Sequence, residues 1–469
     1  MNHREDRRDF MFHSGLALGS MALGDLLSRE GRADDGREKS PLAPRQPHFA
    51  GRAKSVIFLF MQGGPSHLET FDNKPALAKY DGKLLPEELR DFDLAQINTA
   101  DSKVLAPQFP FERFGESGQE ISTVFPQLSQ HADKLAIVRS MHHDLFIHGS
   151  AMIMVHSGTR LLGRPSVGAW VTYGLGCESD NLPAYIAMTD NIFRNGASMY
   201  TSGFLPAVYQ GTPVRTEGVP IKNLQRRPDI SPADQRLLLE QINAWNRRHL
   251  ATRPGDSRLD ARISNYELAY RMQAAAPELI DLSDESQETR DLYGAAGGPA
   301  DRFGKMCLMA RRMVERGVRY VQLICSGWDA HGDCKGNHQT QAMKVDQPIA
   351  GLLTDLSQRG LLDSTLIVWV GEFGRTPIRQ GSNGRDHHPY GFSAWLAGGG
   401  VAGGKTIGAT DDFGFNAVDD KVHVNDLHAT MLGLLGLDHE ELTYYFEGRD
   451  HRLTDVGGQN NLAERLSRS

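Results

Sequence analysis

Histidine, aspartate and glutamate recur in this chain in short polar clusters, and each cluster lies beside an apolar run. The segment QGGPSHLETFD (62–72) follows the run 55–61, and His142, His143, Asp144, His148 and Ser150 follow the run 135–138. Trp328, Asp329, His331 and Asp333 come just after the run that ends at Cys325, and EFGRTP (372–377) follows Val370. Asp386, His387 and His388 stand just ahead of the run 392–397. Imidazole nitrogen with carboxylate oxygen is the ligand mixture of zinc, manganese or iron, whereas calcium takes oxygens alone. The expected cofactor is therefore a divalent metal, zinc first, with manganese or iron as alternatives. Asp329 and His331, two apart in a loop, reach one ion if the backbone is turned there. Glu372 and either His387 or His388 would complete the set, and Glu372 has a second outlet in an ion pair with Arg375. His67, His142 and His143 could bind the ion or hydrogen-bond its ligands. Arg375 could hold an oxyanion bidentately. Ser66 is either a nucleophile or a helix N-cap, since Glu69 three residues later makes a capping-box spacing. Any one loop histidine is more often a surface residue, and with 18 histidines chance pairs arise. The repetition of His with carboxylate at several strand ends is harder to set aside.

The elements that must bring these residues together can be read from periodicity. Runs rich in Val, Ile, Leu and Phe recur at 55–61, 135–138, 184–188, 318–325, 365–370 and 392–397, without polar alternation. Such runs suit strands buried on both faces, as in a parallel sheet covered by helices. Between them, 301–316 places Phe303, Met306, Met309, Ala310 and Met313 on one helical face and stops at Gly317. The step recurs where Ala350, Leu353 and Leu356 lead through Gly360 into 365–370. Repeated units of this kind predict an α/β fold, a three-layer α/β/α sandwich around a largely parallel sheet. In open α/β sheets ligands bind beyond the carboxyl ends of the strands, so the polar clusters should meet in one crevice. Residues 190–300 read as a helical insertion, with helices over 232–250 and 259–275, expected to cover one end of the sheet.

With 469 residues and 40% hydrophobic content, the chain can bury a large core. The formal net charge is −7, and Lys and Arg are scattered rather than gathered in a stripe, which argues against nucleic acid as a partner. Four cysteines follow no C-x-x-C spacing. At the amino end, Arg7 and Arg8 precede Asp9, Phe10 and Met11 and a weakly apolar stretch to Leu23. That pattern looks like a twin-arginine export signal over 1–30, followed by a linker over 31–50. It predicts an exported protein, periplasmic or extracellular, with the twin-arginine translocation machinery as a transient partner. No stretch is long enough to span a membrane beyond an uncleaved signal. The main domain is expected over 51–456, and 457–469 as a tail.

The strings GGPSHLETFDNKP (63–75), WDAH (328–331), EFGRTP (372–377), GRDHHP (384–389) and HVNDLHATMLGLLG (423–436) resemble domain-of-unknown-function family 1501 (DUF1501) over about residues 50–456. That family belongs with the alkaline phosphatase and sulfatase superfamily, which implies a mixed, largely parallel sheet between helices. The resemblance places Asp329 and His331 at the superfamily's Asp-to-His motif, though with two-residue spacing, and His387 or His388 at its final ligand. Glu372 takes the place of an Asp ligand, and Phe373 stands where a His would follow. The segment VHSG (155–158) is similar to the end of a sulfatase nucleophile segment, which puts His148 at the nucleophile position. Gln62 and Gly63 stand where the superfamily carries an Asp, and there is no C-x-P-x-R or S-x-P-x-R string. The function this implies is a metal-dependent hydrolase of phosphate or sulfate esters, acting on an anionic small-molecule or glycan ester. Ser66 or water would attack, and Arg375 would bind the anion. The alternative is a non-catalytic envelope or glycan-binding protein that kept the fold and lost the reaction, a reading that Gln62 and Phe373 favour.

Overall fold

The computed structural model describes residues 41–87, 102–216, 221, 224–253 and 257–467. The twin-arginine reading of 1–30 lies outside the described residues. Among the described residues, nine strands form the main sheet. The first half of the chain supplies β1 (Ser55–Gln62), β2 (Ala136–His142), helices α1 (His148–Ser157) and α2 (Val167–Leu175), β3 (Tyr185–Thr189) and β4 (Thr212–Pro213). Helices α3 (Pro232–Ala251), α4 (Ser257–Ile280) and α5 (Asp301–Glu315) lead to β5 (Tyr320–Ser326), α6 (Cys334–Gln358) and β6 (Thr365–Val370). A hairpin of β7 (Gly374–Gln380) and β8 (Gly384–His388) stands off the sheet, which resumes with β9 (Phe392–Gly398), β10 (Lys405–Ile407) and β11 (Val422–His423) before α7 (Val424–Leu434). Each of the six apolar runs is a strand of this sheet.

The sheet order is β10-β2-β9-β6-β1-β5-β3-β4, with β11 also paired to β2. Every pairing is parallel except those of β9, which runs antiparallel to both β2 and β6. Successive β1 side chains face opposite layers, as the two-residue strand period requires. Val56, Phe58 and Phe60 pack with α1, α2 and α7, whereas Ile57, Leu59 and Met61 pack with α5 and α6. All six are fully buried, each contributing roughly 1.5–3 kcal/mol. These two cores on either side of one sheet make the three layers. Helix α5 buries the face that its spacing predicts, and Gly317 ends it in the left-handed region at φ 84°.

Two boundaries differ from those read in the sequence. Residues 42–50, expected as linker, lie against the domain: the Arg45 and Phe49 amides donate to the carbonyls of Leu175 and Gly436. The expected tail is also part of the core, because Leu462 and Leu466 are fully buried and the Leu462 amide donates to Thr430 Oγ1. In the insertion, α3 is capped by Ser231 and packs on α4. Helix α4 packs against the 207–209 turn and α5, and its Asn265 and Leu268 face Pro183 and Ala184 at the amino end of β3. The helical pair therefore lies beside the amino end of β3, away from the carboxyl ends of the strands. Among the described residues no helix is long and apolar enough to cross a membrane.

Candidate metal centre

The loops beyond the carboxyl ends of β1, β2, β5 and β6 converge, and the hairpin joins them because β9 runs antiparallel. Its amino end lies at that same end of the sheet, so the segment just before it arrives there. Close approach of the loops requires glycine at two points. A Cβ on Gly63, at φ 120°, would meet the Asp329 amide nitrogen at 2.5 Å, and one on Gly384 would collide with the His331 carbonyl.

His148, Asp329, His331 and His387 meet there, each offering one ligand atom, with all four atoms within 4.8 Å of one another. Asp329 Oδ1 lies 2.9 Å from His331 Nε2 and 3.3 Å from His387 Nε2, and Oδ2 lies 3.2 Å from His148 Nε2. The two nitrogens His331 Nε2 and His387 Nε2 are 2.9 Å apart. Ligands around a tetrahedral zinc ion, at ~2.0–2.1 Å from it, stand about 3.3 Å from each other, so this spacing fits one ion.

The far side of every imidazole is tied to an oxygen. His148 Nδ1 donates to Glu372 Oε1 at 2.6 Å, His331 Nδ1 to Gln380 Oε1 at 2.5 Å, and His387 Nδ1 to the Phe146 carbonyl at 2.8 Å. With the proton fixed on Nδ1, each neutral ring turns its Nε2 lone pair inward. Two ring nitrogens 2.9 Å apart share either a proton or a metal ion, and three imidazoles around one carboxylate are a donor set that fits a divalent transition metal. Phe373, 1% exposed, packs its ring 4.5 Å from that of His387 and 5.0 Å from that of His148, walling the apolar side. The mouth opens toward Asp329 and His331, whose side chains are 30% and 41% exposed.

Charge is concentrated here. Burial would raise the Asp329 carboxyl, but the facing imidazoles of His148 and His387 and the Arg375 guanidinium outweigh it and hold the group well below the usual carboxylate range. Burial works against a charged His148, yet the facing carboxylates of Asp329 and Glu372 lift it above the ordinary histidine value. For His387 burial dominates and the shift is downward.

Other expected site residues take different places. Glu372, fully buried, accepts the Gly63 amide on both carboxylate oxygens at 2.9 and 3.0 Å and orients His148 from outside the four-residue group, and it does not pair with Arg375. Arg375 is not free to hold a substrate anion: it is fully buried and donates to the carbonyls of Gly63, Gly64 and Arg385 and to Asp329 Oδ1. His67 and His388 turn their Nε2 atoms to the carbonyls of Gly414 and Phe415 and stand outside the four-residue group. The Ser66 side chain is fully buried and makes no cap bond; Glu69 pairs instead with Arg385. His143 donates to the Glu372 carbonyl at 2.5 Å. His148 is the member of the group that the resemblance had put at a nucleophile position. Gln380 was missed altogether. The turn GSNG (381–384) was its available signal, since a hairpin there sets His387 opposite Arg375 and Gln380 opposite Gly384.

A family model described as "Protein of unknown function (DUF1501)" matches residues 53–466. No curated protein matches the sequence. Solved structures similar to this one include the lipoteichoic acid synthase LtaP from Listeria monocytogenes, at 10% identity and TM-score 0.38, with 85% of this chain and 77% of that chain covered. A sulfatase from Pseudoalteromonas sp. aligns at 13% identity and TM-score 0.35, over 87% of this chain and 72% of that one. Alkaline phosphatase from the Antarctic bacterium TAB5 aligns at 9% identity and TM-score 0.30, over 83% and 99%.

Proposed function

Since the chain belongs to the DUF1501 family and gathers three anchored imidazoles around one carboxylate, we propose that it is a metal-dependent hydrolase of phosphate or sulfate esters. The observation that carries this reading is the set of Nδ1 bonds to Glu372, Gln380 and Phe146, which aims three lone pairs at the point that Asp329 faces. A bound divalent ion supplies a Lewis acid that polarises an ester oxygen. The chain's own residues set the rest. His148 is the first residue of α1, so the positive end of that ten-residue helix also faces the centre and favours an anionic group. Phe373 excludes water from one flank, and the open Asp329–His331 side admits the substrate. We place its work outside the cytoplasm, on the Arg7–Arg8 pattern.

The test is metal analysis of protein purified without added ions, followed by a panel of aryl phosphates and sulfates. Bound transition metal and turnover of at least one ester are expected, with both lost in His148→Ala and His387→Ala. Protein that stays ion-free in micromolar zinc and manganese would remove the centre. A loaded protein inert toward every ester would remove the hydrolase.

A further inference from the structure

The surroundings of Arg375 bear on how many ions the centre takes. Its guanidinium is fully buried and meets four oxygens: the carbonyls of Gly63, Gly64 at 2.9 Å and Arg385 at 3.2 Å, and Asp329 Oδ1 at 2.7 Å. Convergent carbonyl and carboxylate oxygens are what a hard cation requires. Here a fixed organic cation has them, and it shares Asp329 with the imidazole cluster. Of the neighbouring carboxylates, Glu372 is engaged by Gly63 and His148, and Asp386 accepts the His387 amide on Oδ1. A second dication would have to displace the guanidinium from these four oxygens and would stand against its charge.

We infer that the centre holds a single ion and that Arg375 occupies the place of a second. The inference rests on the metal-centre reading above. Arg375 is then a positioning residue: it draws part of the Asp329 charge away from the ion, leaving the ion less neutralised and more polarising, and it closes the loop after β1 onto the loop after β5.

Cobalt(II) titration of metal-free protein, followed by visible absorption and by metal counting after gel filtration, tests it without recourse to activity. The wild-type chain should saturate at one equivalent with one spectrum. Arg375→Lys, which keeps the charge, should also stop at one, with about 10-fold weaker binding from the lost oxygen contacts. Arg375→Gln should take up a second equivalent, or bind the first at least 10-fold tighter. Two ions in the wild-type chain would overturn the inference while leaving the centre standing. A folded Arg375→Gln that stays at one ion of unchanged affinity would overturn it too. Should Arg375→Gln not fold, the wild-type and Arg375→Lys counts decide. A wild-type chain that takes up no cobalt removes the centre itself, and the inference with it.

Discussion

Glu372 touches no substrate in this reading, yet the orientation of His148 depends on it. Glu372→Gln keeps an acceptor for the His148 Nδ1 proton and removes the charge, so ion affinity should fall about 10–100-fold with the fold retained. Competition against a graded series of chelators measures this, and unchanged affinity would remove Glu372 from the centre. Glu372→Ala leaves the Gly63 amide and His148 Nδ1 without their buried partner and should also cost about 1–3 kcal/mol of stability. At this scale the sequence disclosed residue types better than roles. Asp329, His331 and His387 stood out because imidazole and carboxylate recur beside buried strands. The partner of a given ring is another matter. His67 and His388 give Nε2 to a carbonyl whereas His387 gives Nδ1, and the carbonyls of Gly414 and Phe415 come from a loop that no spacing rule locates.

The hairpin β7–β8 carries His387 and Gln380 and is tied down by a pair that contacts no ion. Arg385 donates to both Glu69 oxygens at 2.8–3.2 Å, and both side chains are fully buried. Breaking such a pair from one side leaves an uncompensated charge, so Glu69→Ala should lose about 3–5 kcal/mol, read by urea denaturation. It should also weaken ion binding, though no ligand is altered. A stable Glu69→Ala chain with full ion affinity would show that the hairpin is held otherwise. Gly384→Ala should have a similar effect on binding, since its methyl group would enter the His331 main chain. Strands and helices were readable as elements because their apolar periodicity is strong. The direction of β9 was not, since an apolar run buried on both faces reads the same either way, and that direction is what delivers the hairpin to the site.

Over the molecule as a whole, histidines buried in neutral form couple folding to pH. Burial pushes His156, His338 and His428 each down to about 4. The unfolded chain takes up these protons near pH 6.5 and the folded chain does not. The stability the three contribute is therefore complete above pH 6.5 and is lost as pH falls toward 4. Each contributes up to about 3 kcal/mol, so together they rival the ~5–15 kcal/mol that holds an ordinary domain folded. Melting followed by circular dichroism should show Tm dropping steeply between pH 6.5 and 4.5; a flat profile across that range would count against neutral burial. The layered architecture was plain from the runs, whereas the depth of these rings depends on which helix covers which strand. The sheet order has one more effect. The four grouped side chains come from three segments far apart in the chain, and β9, β6 and β1 must all be seated between the strands that deliver His148 and Asp329. No fragment and no half-assembled intermediate can present the full set, so captured cobalt colour would be an optical gauge of completed folding.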